Sequence, residues 1–235
     1  MIDVGLLATI VIVLVVPSVF VRPWPASAAA SGVIDVASGA LFVGLAVGRL
    51  VAVALDDPSS LTSVSDLMIL RSGVEFWPGV VAGVIWMAVG ARRDKVAPKR
   101  RLAALTAPAL VAWACFEATC LVRDGCPGPL SSIGLRPDGL LERTFPIALV
   151  VAAAAAGAAM VTRRWHRRGM PDEEIVLLAL LSIATIRSIA SIWLPHIGNG
   201  LTRQHTTSIV VGVLAVIAFG IVRRRRPHLA VTGDT

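Results

Sequence analysis

Charge is what this chain has least of. Asp, Glu, Lys and Arg make up 16% of its 235 residues against 56% apolar, with a mean hydropathy of +0.78. That balance excludes an ordinary soluble domain, about a quarter of which is charged. Cysteine is sparse as well. Cys115, Cys120 and Cys126 show no zinc-type spacing, so no metal site is expected, and nothing in the chain implies a cofactor. Lys and Arg are missing ahead of the first apolar run, which has Asp3 before it and Arg22 behind it. Both features oppose a cleaved signal peptide, although Ala26-Ser27-Ala28 offers a small-residue pattern. No inverted repeat or pair of broken helices is visible, which disfavours a transporter or channel.

Long apolar runs are what the chain has instead. A span of the hydrocarbon core needs ~20 apolar residues. Such runs lie near 4–21, 33–55, 74–91, 102–122, 145–162, 172–194 and 206–222. The expected fold is all-α: one integral membrane domain over residues 1–235, built as a bundle of seven transmembrane helices. An open sheet is excluded, because backbone groups cannot stay unpaired in lipid.

The remaining charges are distributed unevenly. Arg22, the cluster Arg92, Arg93, Lys95, Lys99, Arg100 and Arg101, then Arg163, Arg164, Arg167, Arg168, and the run Arg223 to Arg226 fall on one side. Arg71, Arg123, Arg136, Arg143 and Arg203 fall on the other, giving 15 against 5. The positive-inside rule then predicts an outer N-terminus and a cytoplasmic C-terminus. The net charge of +7 is a topology signal facing anionic inner-leaflet lipid, and nucleic acid is not expected as a partner.

Three outer loops remain, about 56–73, 123–144 and 195–205. The middle one is rich in turn formers (Asp124-Gly125, Pro127-Gly128-Pro129, Pro137-Asp138-Gly139) and reads either as a lid or as a passive connector. Cys120 and Cys126 stand at its edge, where an oxidising compartment permits a disulfide. A structural bridge is expected there, with free or catalytic thiols as the alternative. Cys115 lies deeper and reads as a packing residue.

Ionisable residues inside a span cost ~2.5–3.5 kcal/mol each on insertion scales and are functional candidates by default. The chain has Asp35, Arg49, Glu117 and Arg187, with Glu75 at the outer mouth of the third span. Asp35 is close enough to a span end to reach the interface. Arg49, Glu117 and Arg187 each fall roughly 8–10 Å below the outer surface at 1.5 Å per residue, a common depth that one cavity would require. The spacing Glu75, Gly79, Gly83 makes one helix face, whose small positions admit a neighbouring helix or a ligand, and Gly44 and Gly48 make a second small pair before Arg49. Two readings stay open. The charges neutralise one another as packing pairs, or the surplus of arginine holds an anion such as a phospholipid head group.

Several segments, in order, resemble the prolipoprotein diacylglyceryl transferase family. Gly48-Arg49-Leu50 resembles its Gly/Ala-Arg-Leu. Gly73-Val74-Glu75-Phe76-Trp77-Pro78-Gly79, followed by Ala91-Arg92-Arg93, resembles Gly-Leu-Ser-Phe-His-Gly-Gly…Ala-Arg-Arg. Ala107-Pro108-Ala109-Leu110 with Cys115-Phe116 and Cys120, then Arg143-Thr144-Phe145-Pro146, Arg187, and Leu201-Thr202 with His205 follow in register. The resemblance implies transfer of a diacylglyceryl group from phosphatidylglycerol to the lipobox cysteine of a prolipoprotein, at the outer leaflet of a bacterial plasma membrane.

By that resemblance Arg187 and Arg49 face the phosphate, Arg143 assists from the lid, and Glu75 and Glu117 line the head-group site. His205 or His196 supplies a base, or is a bland loop histidine. The chain departs from the family at four points. Trp77 stands where the family has histidine, Pro78 replaces the next glycine, Ala112 falls at the span-four arginine and Ser191 at an acidic residue; tyrosine is absent altogether. The alternative reading is therefore a non-catalytic relative that holds phospholipid, or a partner protein in the membrane.

Overall fold

In a computed structural model, residues 4–21, 33–56, 58–59, 74–123, 126, 128–136, 142–193 and 202–225 are described. The Ala26-Ser27-Ala28 pattern, most of the first outer loop with Arg71, and Gly73, His196 and Leu201 lie outside them. Among the described residues, seven helices of 18 residues or more carry the chain: α1 (Val4–Val21), α2 (Val33–Asp56), α3 (Phe76–Arg93), α4 (Pro98–Ala118), α6 (Ile147–Arg167), α7 (Asp172–Ala190) and α8 (Arg203–Arg224), with a single turn, α5 (Cys120–Arg123), after α4. Each falls on one of the expected apolar runs. Among the described residues four stretches are long and apolar enough to cross a membrane: Asp35–Asp56, Pro98–Val122, Ile147–Arg167 and Arg203–Arg224; α1 contributes a shorter apolar stretch, Ala8–Ser18. Large apolar side chains such as Phe42, Met160 and Leu214 point outward, as expected where the surrounding medium is itself apolar.

The helices run past the apolar windows into the basic residues. α3 ends on Arg92 and Arg93, α6 on Arg164, His166 and Arg167, and α8 on Arg223 and Arg224. Cations there face the negative end of the helix dipole. After α6, Gly169 adopts φ +81°; its N–H donates to the His166 carbonyl and that of Met170 to Trp165, the left-handed stop that glycine takes without penalty. α7 starts after Pro171 with Asp172, Glu173 and Glu174 in its first turn, the sign a helix N-terminus favours.

The loop near 123–144, read from its turn formers as a lid or a passive connector, carries regular structure. A short strand, β1 (Leu130–Leu135), pairs with the segment around Thr144: Ser131 N–H donates to the Arg143 carbonyl and Phe145 N–H to that of Pro129. Leu130, Ile133 and Leu135 favour extended backbone, a local preference that the many turn formers around them obscure.

The chain forms two compact units, Met1–Pro23 with Ala103–Thr235, and Trp24–Leu102. In the larger unit α7 packs between α6 and α8, and α1 touches α5. Its core joins Leu110 and Val111 of α4 to Ala159 of α6 and Ala179 of α7, and a second cluster joins Ile147 and Val151 to Ala190, with Trp113 against both. Ala159, Ala179 and Ala190 supply the small side chains against which the larger ones pack, which lets the helix backbones approach.

In the smaller unit α2 and α3 form a hairpin with hardly any space between them. A Cβ added at Gly44 would stand 2.9 Å from the Gly79 carbonyl oxygen, and one at Gly79 would stand 2.8 Å from that of Gly44. The small face of α3 therefore receives a neighbouring helix.

Candidate functional site

The larger unit carries a polar cluster where α7 ends and α8 begins, at the end of that pair remote from Arg223 and Arg224. Thr202 caps α8, its hydroxyl oxygen accepting from His205 N–H at 3.2 Å. That cap sets the first turn, so Gln204 and His205 turn toward the last turn of α7. There Arg187 Nη2 donates to Gln204 Oε1 at 3.1 Å. One turn on, Ser191 Oγ lies 2.7 Å from His205 Nδ1 and 2.8 Å from the Ser188 carbonyl oxygen.

One tautomer of the histidine makes both contacts hydrogen bonds at once. A carbonyl only accepts, so the single hydroxyl proton of Ser191 serves Ser188. The contact to His205 is then a hydrogen bond donated by Nδ1–H to Ser191 Oγ. In the neutral ring this leaves Nε2 as the basic nitrogen. Ser191 is 6% exposed and so is a rigid acceptor. The cluster therefore combines a guanidinium, an amide that orients it, and an imidazole with its basic nitrogen assigned.

The smaller unit holds Arg49 on α2 and Glu75 at the start of α3. Both are 8% exposed. Glu75 N–H donates to the carbonyl of Gly48 at 3.0 Å, which ties the N-cap of α3 to the residue before Arg49. Pro78 sits in the first turn of α3, where a missing N–H costs nothing. Trp77 is buried, its ring edge-on to Phe76 with centroids 5.3 Å apart.

The other expected residues are placed as follows. Glu117 is half-buried and accepts from Trp113 Nε1 at 2.9 Å, one turn back on its own helix. Arg143 is exposed, and its carbonyl holds β1. Cys120 and Cys126 are joined by a disulfide with Cα atoms 4.7 Å apart, and Cys115 is a free thiol. Asp35 is exposed in the first turn of α2. Among the described residues no three His, Cys, Asp or Glu side chains group as metal ligands. Arg187 and His205 thus share a cluster, Arg49 and Glu75 are both buried in the other unit, Glu117 has a partner on its own helix, and the backbone of Arg143 pairs with β1.

Gln204 is the member of this cluster that sequence reasoning missed. An uncharged amide has no composition signal. Its position two residues into a helix whose predecessor ends just beyond Arg187 is the cue that could have revealed it. Compared with protein-family models and with curated protein sequences, the chain matches none.

Proposed function

We propose that this chain is a seven-span protein of a bacterial plasma membrane, N-terminus outside and C-terminus cytoplasmic, that receives an anionic phospholipid from the outer leaflet. Its reaction is transfer of diacylglycerol from phosphatidylglycerol to a lipobox cysteine. The supporting observation is the cluster of Arg187, Gln204, Ser191 and His205, which unites the two chemical requirements of that transfer on one helix pair. The 15-to-5 division of basic residues supports the orientation.

In the proposed reaction, His205 Nε2 takes the proton of the cysteine thiol. The thiolate attacks the glyceryl carbon that bears the phosphoester, so a carbon–sulfur bond forms as the carbon–oxygen bond breaks. The bonding pair leaves on oxygen, and glycerol phosphate departs with one more negative charge. Arg187, held by Gln204, faces that developing charge with planar forked donors. Neither cofactor nor metal enters the scheme.

A second reading is favoured by Trp77. Its buried, edge-packed ring occupies the position of the family's histidine, which suits a relative that holds lipid, or a membrane partner, without turning it over. One experiment separates the two. Purified protein is incubated with phosphatidylglycerol and a lipobox peptide, and diacylglyceryl thioether is measured by mass spectrometry beside Arg187→Ala and His205→Ala. The transferase reading expects each variant to lose about 10²-fold or more of the product. Arg187-dependent lipid binding without product supports the second reading, and no Arg187-dependent binding refutes both.

A further inference from the structure

A furrow of about 400 Å³ runs between α7 and α8, with Leu181, Ala184 and Ser188 on one wall and Ser208, Gly212 and Ile217 on the other. It exists because its floor is small. A Cβ placed on Gly212 would meet only the Cβ of Ala184, at 3.5 Å, so the two backbones approach and leave a channel between rows of larger side chains, among them the exposed Ile189, Ile209 and Val213.

The two ends of the furrow differ. At Ser188 and Ser208 it adjoins the polar cluster: the Ser188 carbonyl takes the Ser191 hydroxyl proton, and Ser208 donates to the Gln204 carbonyl at 2.7 Å. At Leu181 and Ile217 it is wholly apolar. From Ser208 to Ile217 the helix rises ~14 Å, about half of a ~30 Å hydrocarbon core. A partner helix packed along the whole pair would need the full thickness. A single leaflet's acyl chain needs half, beginning at a head group.

We infer that the α7–α8 furrow holds one acyl chain of the anionic phospholipid whose phosphate meets Arg187, and so sets the depth of the glyceryl carbon relative to His205. This rests on the lipid-binding reading above. The closing experiment distinguishes the two. Phosphatidylglycerol carrying a mid-chain diazirine is photolysed with the full-length protein in vesicles, and labelled peptides are mapped for wild type, Gly212→Leu and Arg187→Ala.

The expected label lies within 181–189 and 208–217. Gly212→Leu, whose side chain has no room except in the furrow, should lower it about tenfold and leave Arg187-dependent preference for phosphatidylglycerol over phosphatidylcholine intact. A panel of shorter-chain lipids, which end above Gly212, should bind wild type and Gly212→Leu alike. Label spread evenly around the bundle, or concentrated on other helices while the Arg187-dependent preference persists, overturns the furrow alone. The wild-type map decides this even if Gly212→Leu fails to fold. Loss of any Arg187-dependent preference overturns the head-group reading beneath it. Cross-linking of the furrow to a second copy of the chain assigns it to a helix and also overturns the proposal.

Discussion

Gly48→Ala tests the close approach of α2 to the start of α3, beside the buried Arg49. A Cβ at Gly48 would stand 2.6 Å from the Glu75 carbonyl oxygen and 2.6 Å from Val74 Cγ1. The valine methyl can rotate away, but the carbonyl belongs to backbone. To bring that contact to between 3.0 and 3.4 Å, the start of α3 must retreat by about 0.4–0.8 Å. The hydrogen bond from Glu75 N–H to the Gly48 carbonyl is already 3.0 Å long, and it stretches with the same motion. Overpacking of this kind costs ~1–3 kcal/mol, and a weakened buried hydrogen bond adds ~0.5–1.5 kcal/mol. Alanine returns up to ~1 kcal/mol through its helix propensity. With that full gain the balance is a destabilisation of ~0.5–3.5 kcal/mol.

Gly157 is the matched control. It lies in α6 with nothing within 4 Å of an added Cβ, so Gly157→Ala should gain the propensity term alone, ~0.5–1 kcal/mol. Steric-trap unfolding in bicelles measures both variants on one scale. If Gly48→Ala is as stable as Gly157→Ala, the close approach of α2 and α3 at Gly48 is wrong.

Three further outcomes are expected. Arg101 is 1% exposed and donates to Asp94 at 2.6 Å, while its Nε and Nη2 find no partner among the described residues; Asp94→Ala should therefore lower stability by ~1–3 kcal/mol, below the cost for a fully buried pair because Asp94 is half exposed, and the same unfolding assay reads it. Ser191→Ala removes the acceptor that holds His205 in its Nδ1–H form, so nitrogen-15 spectra of labelled protein should show the tautomer ratio falling about two- to twelvefold, the equivalent of one hydrogen bond. Alkylation of the denatured chain should modify Cys115 alone before reduction, and all three cysteines after it.

The helices were legible because the apolar windows and the helix-forming basic residues agree locally. Charge carries that reading over α3, α6 and α8, whose ends lie in the Arg runs. The small faces were legible only in part. The spacing Gly44, Gly48 against Glu75, Gly79, Gly83 marks close approach but does not say whether a ligand or a helix approaches, and the answer is helix α2. Glu117 adds a local contact to this. Its charge marks it for a shared cavity, and Trp113, four residues earlier, also provides an indole N–H at 2.9 Å, a partner that helical spacing alone places within reach.

The same logic bears on the chemistry of the cluster. A histidine's identity says nothing about which nitrogen is basic, and in this chain that property depends on a carbonyl three residues before a serine on another helix. Because Ser188 takes the only proton Ser191 can give, His205 donates through Nδ1, and its lone pair is directed to the opposite side of the ring. An acidic residue at position 191 would also have accepted from Nδ1–H, while adding a charge that stabilises the protonated ring. Serine keeps the orientation and omits the charge. Thus Ser191→Asp should retain the Nδ1–H tautomer that Ser191→Ala loses, which the same nitrogen-15 spectra read. A Ser191→Asp ratio that falls as far as that of Ser191→Ala would show that the contact at position 191 does not hold the ring.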